Sequence, residues 1–128
     1  DRAANASSGM RLGGYRELQG RSPDTQSHHI IQDKAVDGLP NYSRTKAPSI
    51  QLQGKASEIG SQHYKATAIQ REAGGGTYAA ERRIGYKALR AAGVSPEQSR
   101  QAIEFADRYF HSIGVTPSTP TTIPKNRK

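Results

Sequence analysis

The chain has 128 residues, enough for one domain, and its 19 Lys and Arg against 11 Asp and Glu give a formal net charge of +8. The absence of Cys excludes disulfides, thiolate zinc sites and cysteine nucleophiles. Val, Ile, Leu and Phe supply only 19 residues while Ala supplies 16, so a large core is excluded and a small one of closely approaching helices is expected, stiffened by a metal or a partner.

Residues 1 to 26 are rich in Ser, Gly, Arg and Gln without sustained periodicity, and read as a flexible tether with at most a short turn near Tyr15 and Leu18. A first short strand is expected over 27 to 32 and a second over 47 to 52, with Ile50 and Leu52 pointing inward and Pro48 at the strand's start or on an edge. The turn formers between them, Asp37, Gly38, Pro40 and Asn41, allow the strands to pair across a long irregular loop. A helix follows from about Ser61, a suitable cap, until Gly74, Gly75 and Gly76 stop it. A second helix is expected from about 77 to 92, with Ala80, Ile84, Ala88 and Leu89 on one stripe. A third starts at Ser95 with Pro96 in its first turn, Gln98 as a capping-box partner, and Ala102, Ile103, Ala106, Phe110 and Ile113 as its apolar face. Residues 116 to 128, rich in Pro and Thr and ending in Lys125, Arg127 and Lys128, read as a basic tail.

No apolar run approaches the ~18 residues of a spanning helix and the N-terminus lacks a signal pattern, so membrane insertion by this domain is not expected. The start at Asp1 fits a piece of a longer polypeptide. The positive charge favours a polyanion, most simply nucleic acid, though a solvated basic surface explains it equally well.

His28 and His29 are the informative local feature. Neutral imidazole binds divalent metals, and its ordinary pKa near 6.5 suits general-base work. On a strand the two side chains point to opposite faces, and curvature can still bring both to one site. His63, at the start of the first long helix, can close such a site when the hairpin packs across that helix.

The run from Ser27, His28 and His29 to Asp33, the Leu39, Pro40, Asn41, Tyr42, Ser43 turn, the strand at 47 to 52, the helix start at His63 to Thr67 and the stretch from Gly76 to Arg83 resemble the SHH-type toxin domains. These belong to the HNH/endonuclease VII superfamily and sit at the C-termini of Rhs and other bacterial polymorphic toxins. The resemblance covers residue 27 to the tail, with 27 to 115 as the nuclease domain. It implies an α+β fold with a ββα-metal (His-Me finger) core, an irregular β-hairpin packed on a helix, and two further helices behind it. It makes His28 and His63 metal ligands and His29 the general base. One divalent ion is implied, magnesium or manganese ahead of zinc or nickel, because two protein ligands plus water suit a hard ion. The sequence departs from the colicin-type pattern where a further helical His would stand, at Thr67, and Asn41 is the sole Asn between the strands.

Supporting roles fall to Asp33, which can orient a His, to Asn41, to Thr67 and to Gln70 on the His63 face of the helix. Arg82, Arg83 and Lys87 are the expected nucleic-acid contacts, with Glu81 joining the two Arg in a phosphate clamp. The resulting expectation is a metal-dependent DNase toxin, released from a parent delivery protein by a secretion or injection route. It would act in the cytoplasm of a competitor bacterium and be neutralised by an acidic immunity protein. A nonenzymatic DNA-binding module and an RNase of the same fold are the alternatives.

Overall fold

The computed structural model describes residues 10–21 and 23–127. In chain order these form β1 (Leu12–Gly14), α1 (Tyr15–Leu18), β2 (Thr25–His29), α2 (Asp33–Val36), β3 (Pro48–Gln53), α3 (Gln62–Gln70), α4 (Tyr78–Ala91) and α5 (Pro96–Ser112). The strands make one antiparallel sheet in the order β1-β3-β2. The architecture is α+β, a small sheet with five helices among the described residues, and agrees with the HNH-type fold that the resemblance implies.

The register decides where the histidines go. His28 lies opposite Ile50 and Gln26 opposite Leu52, so Gln26 and His28 share the face of β2 that looks at the core. His29 lies opposite Ser49, on the other face. The strand expected over 27 to 32 runs instead from Thr25 to His29, and Ile30 and Ile31 lie beyond its end, both buried. The chain turns there into α2, and Ile30, Ile31, Ala35 and Val36 enter the core.

The three long helices start where the capping residues lie. Ser61, Thr77 and Ser95 each accept a hydrogen bond from the backbone N–H three residues on, at 3.1, 3.2 and 3.1 Å. Ala88, Ala102 and Ala106 are fully buried alongside Leu89 and Phe110, small side chains that let α4 and α5 approach closely. At Gly85, α4 meets the segment after β2: a Cβ would stand 2.6 Å from the Ile30 carbonyl oxygen, so α4 packs on backbone there.

Both expected loose ends are corrected. The tether expected over 1 to 26 does not hold for its described part: β1 pairs with β3, and Met10, Leu12 and Leu18 are buried. A core short of large apolar residues recruits these, and the exposed edge of β3 gains a partner. Residues 1–9 and 22 lie outside the described residues. The tail expected over 116 to 128 is docked as far as residue 127. Thr77 bridges Pro120, the Thr122 N–H donates to the Ala35 carbonyl at 2.9 Å, and Arg127 is buried. The first long helix ends at Gln70, ahead of the three glycines, of which Gly75 serves another purpose described below.

Candidate active site

His28 and His29, at the end of β2, and His63, in the first turn of α3, border one cavity of about 260 Å³. The His28 and His63 rings stand nearly perpendicular, 85° apart in plane, with centroids 5.2 Å apart. His29 is bordered by α1, whose first residue Tyr15 lays its ring on the imidazole at 4.1 Å and 4°. Tyr15 is held there because the N–H groups of Tyr15 and Arg16 donate to the Ala47 and Thr45 carbonyls at 3.0 and 2.9 Å.

The hydrogen-bond partners assign a tautomer to each ring. His63 Nδ1 faces the Gln26 carbonyl oxygen at 2.9 Å, an atom that only accepts, so Nδ1 carries the proton and Nε2 keeps its lone pair. The Ala56 N–H also donates to that oxygen, at 3.3 Å, which holds the Gln26 amide in place. His29 Nε2 faces the Arg44 carbonyl at 3.1 Å, so it donates and Nδ1 is left basic. The Gln70 amide nitrogen donates to the His29 carbonyl at 3.2 Å and to His28 Nε2 at 3.4 Å, which makes the latter an acceptor.

Burial keeps all three rings neutral. It lowers His28 to about 3, with the neighbouring His63 and His29 adding to the effect. Burial also lowers His29, opposed by its bond to the Arg44 carbonyl and by Asp33, and lowers His63, opposed by a bond to the Gly54 backbone. Neutral rings with directed lone pairs are what metal coordination and proton abstraction both require.

The spacing of two of the rings is compatible with one shared divalent ion, which would have to displace the Gln70 amide from His28 Nε2. Two imidazoles bound to one ion at about 2.1 Å place their ring centres roughly 5 Å apart, as observed for His28 and His63. Thr67 and Gln70 also border the cavity, and the Gln70 atom that meets the His28 ring is its amide nitrogen. No group of three His, Cys, Asp or Glu capable of holding a metal exists among the described residues, so a closed zinc cage is not built here.

The remaining sequence candidates divide. Asp33 borders the cavity but does not hydrogen-bond a His. It accepts from the Tyr42 hydroxyl at 2.6 Å and pairs with the Arg44 guanidinium at 3.4 Å, and the atom that orients His29 is the Arg44 carbonyl. Asn41 is not brought to the cavity. Its φ of 65° is a left-handed turn conformation, which Asn tolerates better than most residues.

Arg82, Arg83 and Lys87 border a different cavity of about 440 Å³ between α4 and α5 that shares no residue with the first. Arg82 is bound bidentately by Asp107 at 2.7 to 2.9 Å, and Lys87 lies 3.9 Å from Glu72. The Glu81 clamp is corrected outright, because Glu81 is buried and both its oxygens receive the Arg127 guanidinium. Gly75 makes room for this pair: a Cβ there would stand 2.5 Å from each partner, and its φ of +108° suits only glycine.

Sequence reasoning missed Tyr15, Gln26, Arg44 and Arg127. Gln26 had a usable signal, since residues two apart on a strand share a face and Gln26 precedes His28 by two. The other three act through contacts that no local pattern announces.

A comparison with protein families found a match. The family described as an HNH/Endo VII superfamily toxin with a SHH signature matches residues 22–111, from just before β2 to the last turn of α5. Neither the curated proteins nor the solved structures gave a match.

Proposed function

The chain belongs to the SHH-signature toxins of the HNH/endonuclease VII superfamily, a family of nuclease toxins, and from that premise we propose that it hydrolyses DNA phosphodiester bonds with one divalent metal ion. The observation that carries this reading is the tautomer of His29. Its Nε2–H is spent on the Arg44 carbonyl, so Nδ1 is the basic atom, beside His63, whose Nε2 keeps its lone pair, and His28, whose Nε2 accepts from the Gln70 amide.

His28 and His63 would hold the ion, with Thr67 and Gln70 beside it. When bound, the ion supplies positive charge that stabilises the crowded phosphate and its leaving oxygen. His29 Nδ1 takes a proton from water as the water oxygen bonds to phosphorus. The bond from phosphorus to the leaving sugar oxygen breaks, and that oxygen takes its proton from solvent. Tyr15 and the Arg44 carbonyl keep the His29 ring from rotating, so no reorientation precedes proton transfer. Two protein ligands with open positions for water are not a closed structural zinc site, and of the two hard ions expected the imidazole nitrogens favour manganese over magnesium, which takes oxygen ligands.

The remaining parts of the reading follow from family and charge. The domain would be carried by a longer toxin protein and would act in the cytoplasm of a target bacterium. An acidic immunity protein, steered to the basic surface, would protect the producer. Among the described residues no helix is long and apolar enough to cross a membrane.

Plasmid DNA and total RNA incubated in parallel with manganese or magnesium, with a chelator control, test the proposal. Chelator-sensitive cutting of plasmid is the expected result. Cutting of RNA alone would favour the RNase reading, and DNA binding without cutting of either would favour a nonenzymatic module.

A further inference from the structure

The histidine cavity is bordered by three cations, Lys34, Arg44 and Arg71, against one carboxylate, Asp33. Arg44 is already committed. Its guanidinium pairs with Asp33 at 3.4 Å and lies over the Tyr15 ring at 4.9 Å. Lys34 and Arg71 are exposed, and neither side chain has a hydrogen bond or ion pair with another described residue. Each follows a different catalytic element: Lys34 stands in α2, directly after the strand that carries His28 and His29, and Arg71 caps the C-terminal end of α3, which carries His63.

Two uncommitted cations at one reactive cavity have a specific use. A nuclease must hold its substrate strand on either side of the phosphate it attacks, and a phosphodiester offers one negative charge per nucleotide for the purpose. We propose that Lys34 and Arg71 bind the backbone phosphates flanking the scissile one. Arg71 supplies a planar fork for a phosphate and Lys34 a point charge. The assignment rests on the nuclease reading above and moves the strand contacts away from Arg82, Arg83 and Lys87. The helix macrodipole also favours a cation at the position of Arg71, but it gives no reason for Lys34 to border the same cavity.

The test is binding of a labelled 20-base-pair DNA duplex, followed by fluorescence anisotropy in EDTA over a range of salt, so that cutting plays no part. Lys34→Ala and Arg71→Ala should each weaken binding several-fold and reduce the slope of log affinity against log salt by about 1. Manganese affinity, measured separately, should stay at the parent value, which shows that the site is still folded. Parent affinity and slope in both variants overturn the assignment. So does a loss that appears in Arg83→Ala while the Lys34 and Arg71 variants bind normally. A parent that binds through Lys34 and Arg71 yet leaves DNA uncut in manganese overturns the nuclease reading and keeps this phosphate site.

Discussion

The ring of Tyr15 lies parallel to the ring of His29, centroid to centroid at 4.1 Å. Together with the bond from His29 Nε2 to the Arg44 carbonyl, the stack fixes the plane in which Nδ1 presents its lone pair. An aromatic pair contributes about 0.5–1.5 kcal/mol beyond area burial. Tyr15→Ala should therefore lower kcat about two- to tenfold, while Tyr15→Phe, which keeps the stack, should cleave like the parent. Equal rates for the Ala variant and the parent would show that the Arg44 carbonyl alone holds the ring.

Tyr15 also shows where local pattern stops being informative. Ser61, Thr77 and Ser95 mark helix starts because a cap acts on residues three positions away, and Ile50 and Leu52 mark a buried strand face because alternation is local. The His28 and His29 pair and His63 were legible for the same reason, each being chemically distinctive where it stands. Leu12, Gly13 and Gly14 have no such period. They form a strand only because β3 offers an edge, and α1 follows only because β3's approach offers the Ala47 and Thr45 carbonyls. Arg127 reads as one charge in a basic run, and nothing near it signals a buried carboxylate at Glu81.

That carboxylate yields a stability prediction. Arg127 donates to both Glu81 oxygens, to the Gln32 side chain at 2.6 Å and to the Gln70 and Gly74 carbonyls at 2.8 and 3.1 Å. Arg127→Ala leaves the Glu81 charge buried and unpaired, at a cost of about 3–5 kcal/mol. Adding Glu81→Gln should recover part of the loss, because the neutral amide needs no counter-charge. Denaturant midpoints measure both, and an Arg127→Ala protein as stable as the parent would contradict the buried pair.

Gln26 is the test of the His63 tautomer. Its carbonyl oxygen holds the proton on Nδ1 and so directs Nε2 toward the proposed metal position. Outer partners of metal-binding histidines typically affect affinity by about 10- to 100-fold. Gln26→Ala should weaken manganese binding by that factor in calorimetric titration, and His28→Ala and His63→Ala should weaken it further. Parent affinity in the Gln26 variant would mean that His63 is oriented by something else.

The buried rings make the metal-free protein sensitive to acid. Because the folded-state pKa of His28 lies near 3, below its ordinary 6.5, the unfolded chain binds the proton more readily between those values. Stability is therefore full above pH 6.5 and falls as pH drops toward 3, with His28 alone costing on the order of 5 kcal/mol at the end of that range. His63 and His29 shift in the same direction. Thermal melts of chelator-treated protein between pH 8 and 4 should show a falling Tm, and His28→Ala should flatten the dependence. A Tm that holds constant over that range would be inconsistent with neutral buried imidazoles.

His29 carries the most direct prediction about the reaction. As the proposed general base it would touch the attacking water and not the ion, so His29→Ala should keep manganese and duplex affinity while losing the roughly 10²- to 10⁴-fold in rate that a positioned base supplies. Its protonated form cannot accept a proton, so parent activity must rise with pH as the ring deprotonates. Burial holds that pKa below the ordinary 6.5, and the charge of a bound ion pushes it further the same way. The rising limb should therefore lie on the acid side of pH 6.5, with the rate level at neutral pH. In the His29→Ala protein the residual rate should lack that limb, because no other group has been placed to take the proton. Single-turnover cleavage at saturating manganese and DNA separates the outcomes. Parent rates in the variant would remove His29 from the chemistry, whereas a lost limb with intact binding would assign the proton transfer to its Nδ1.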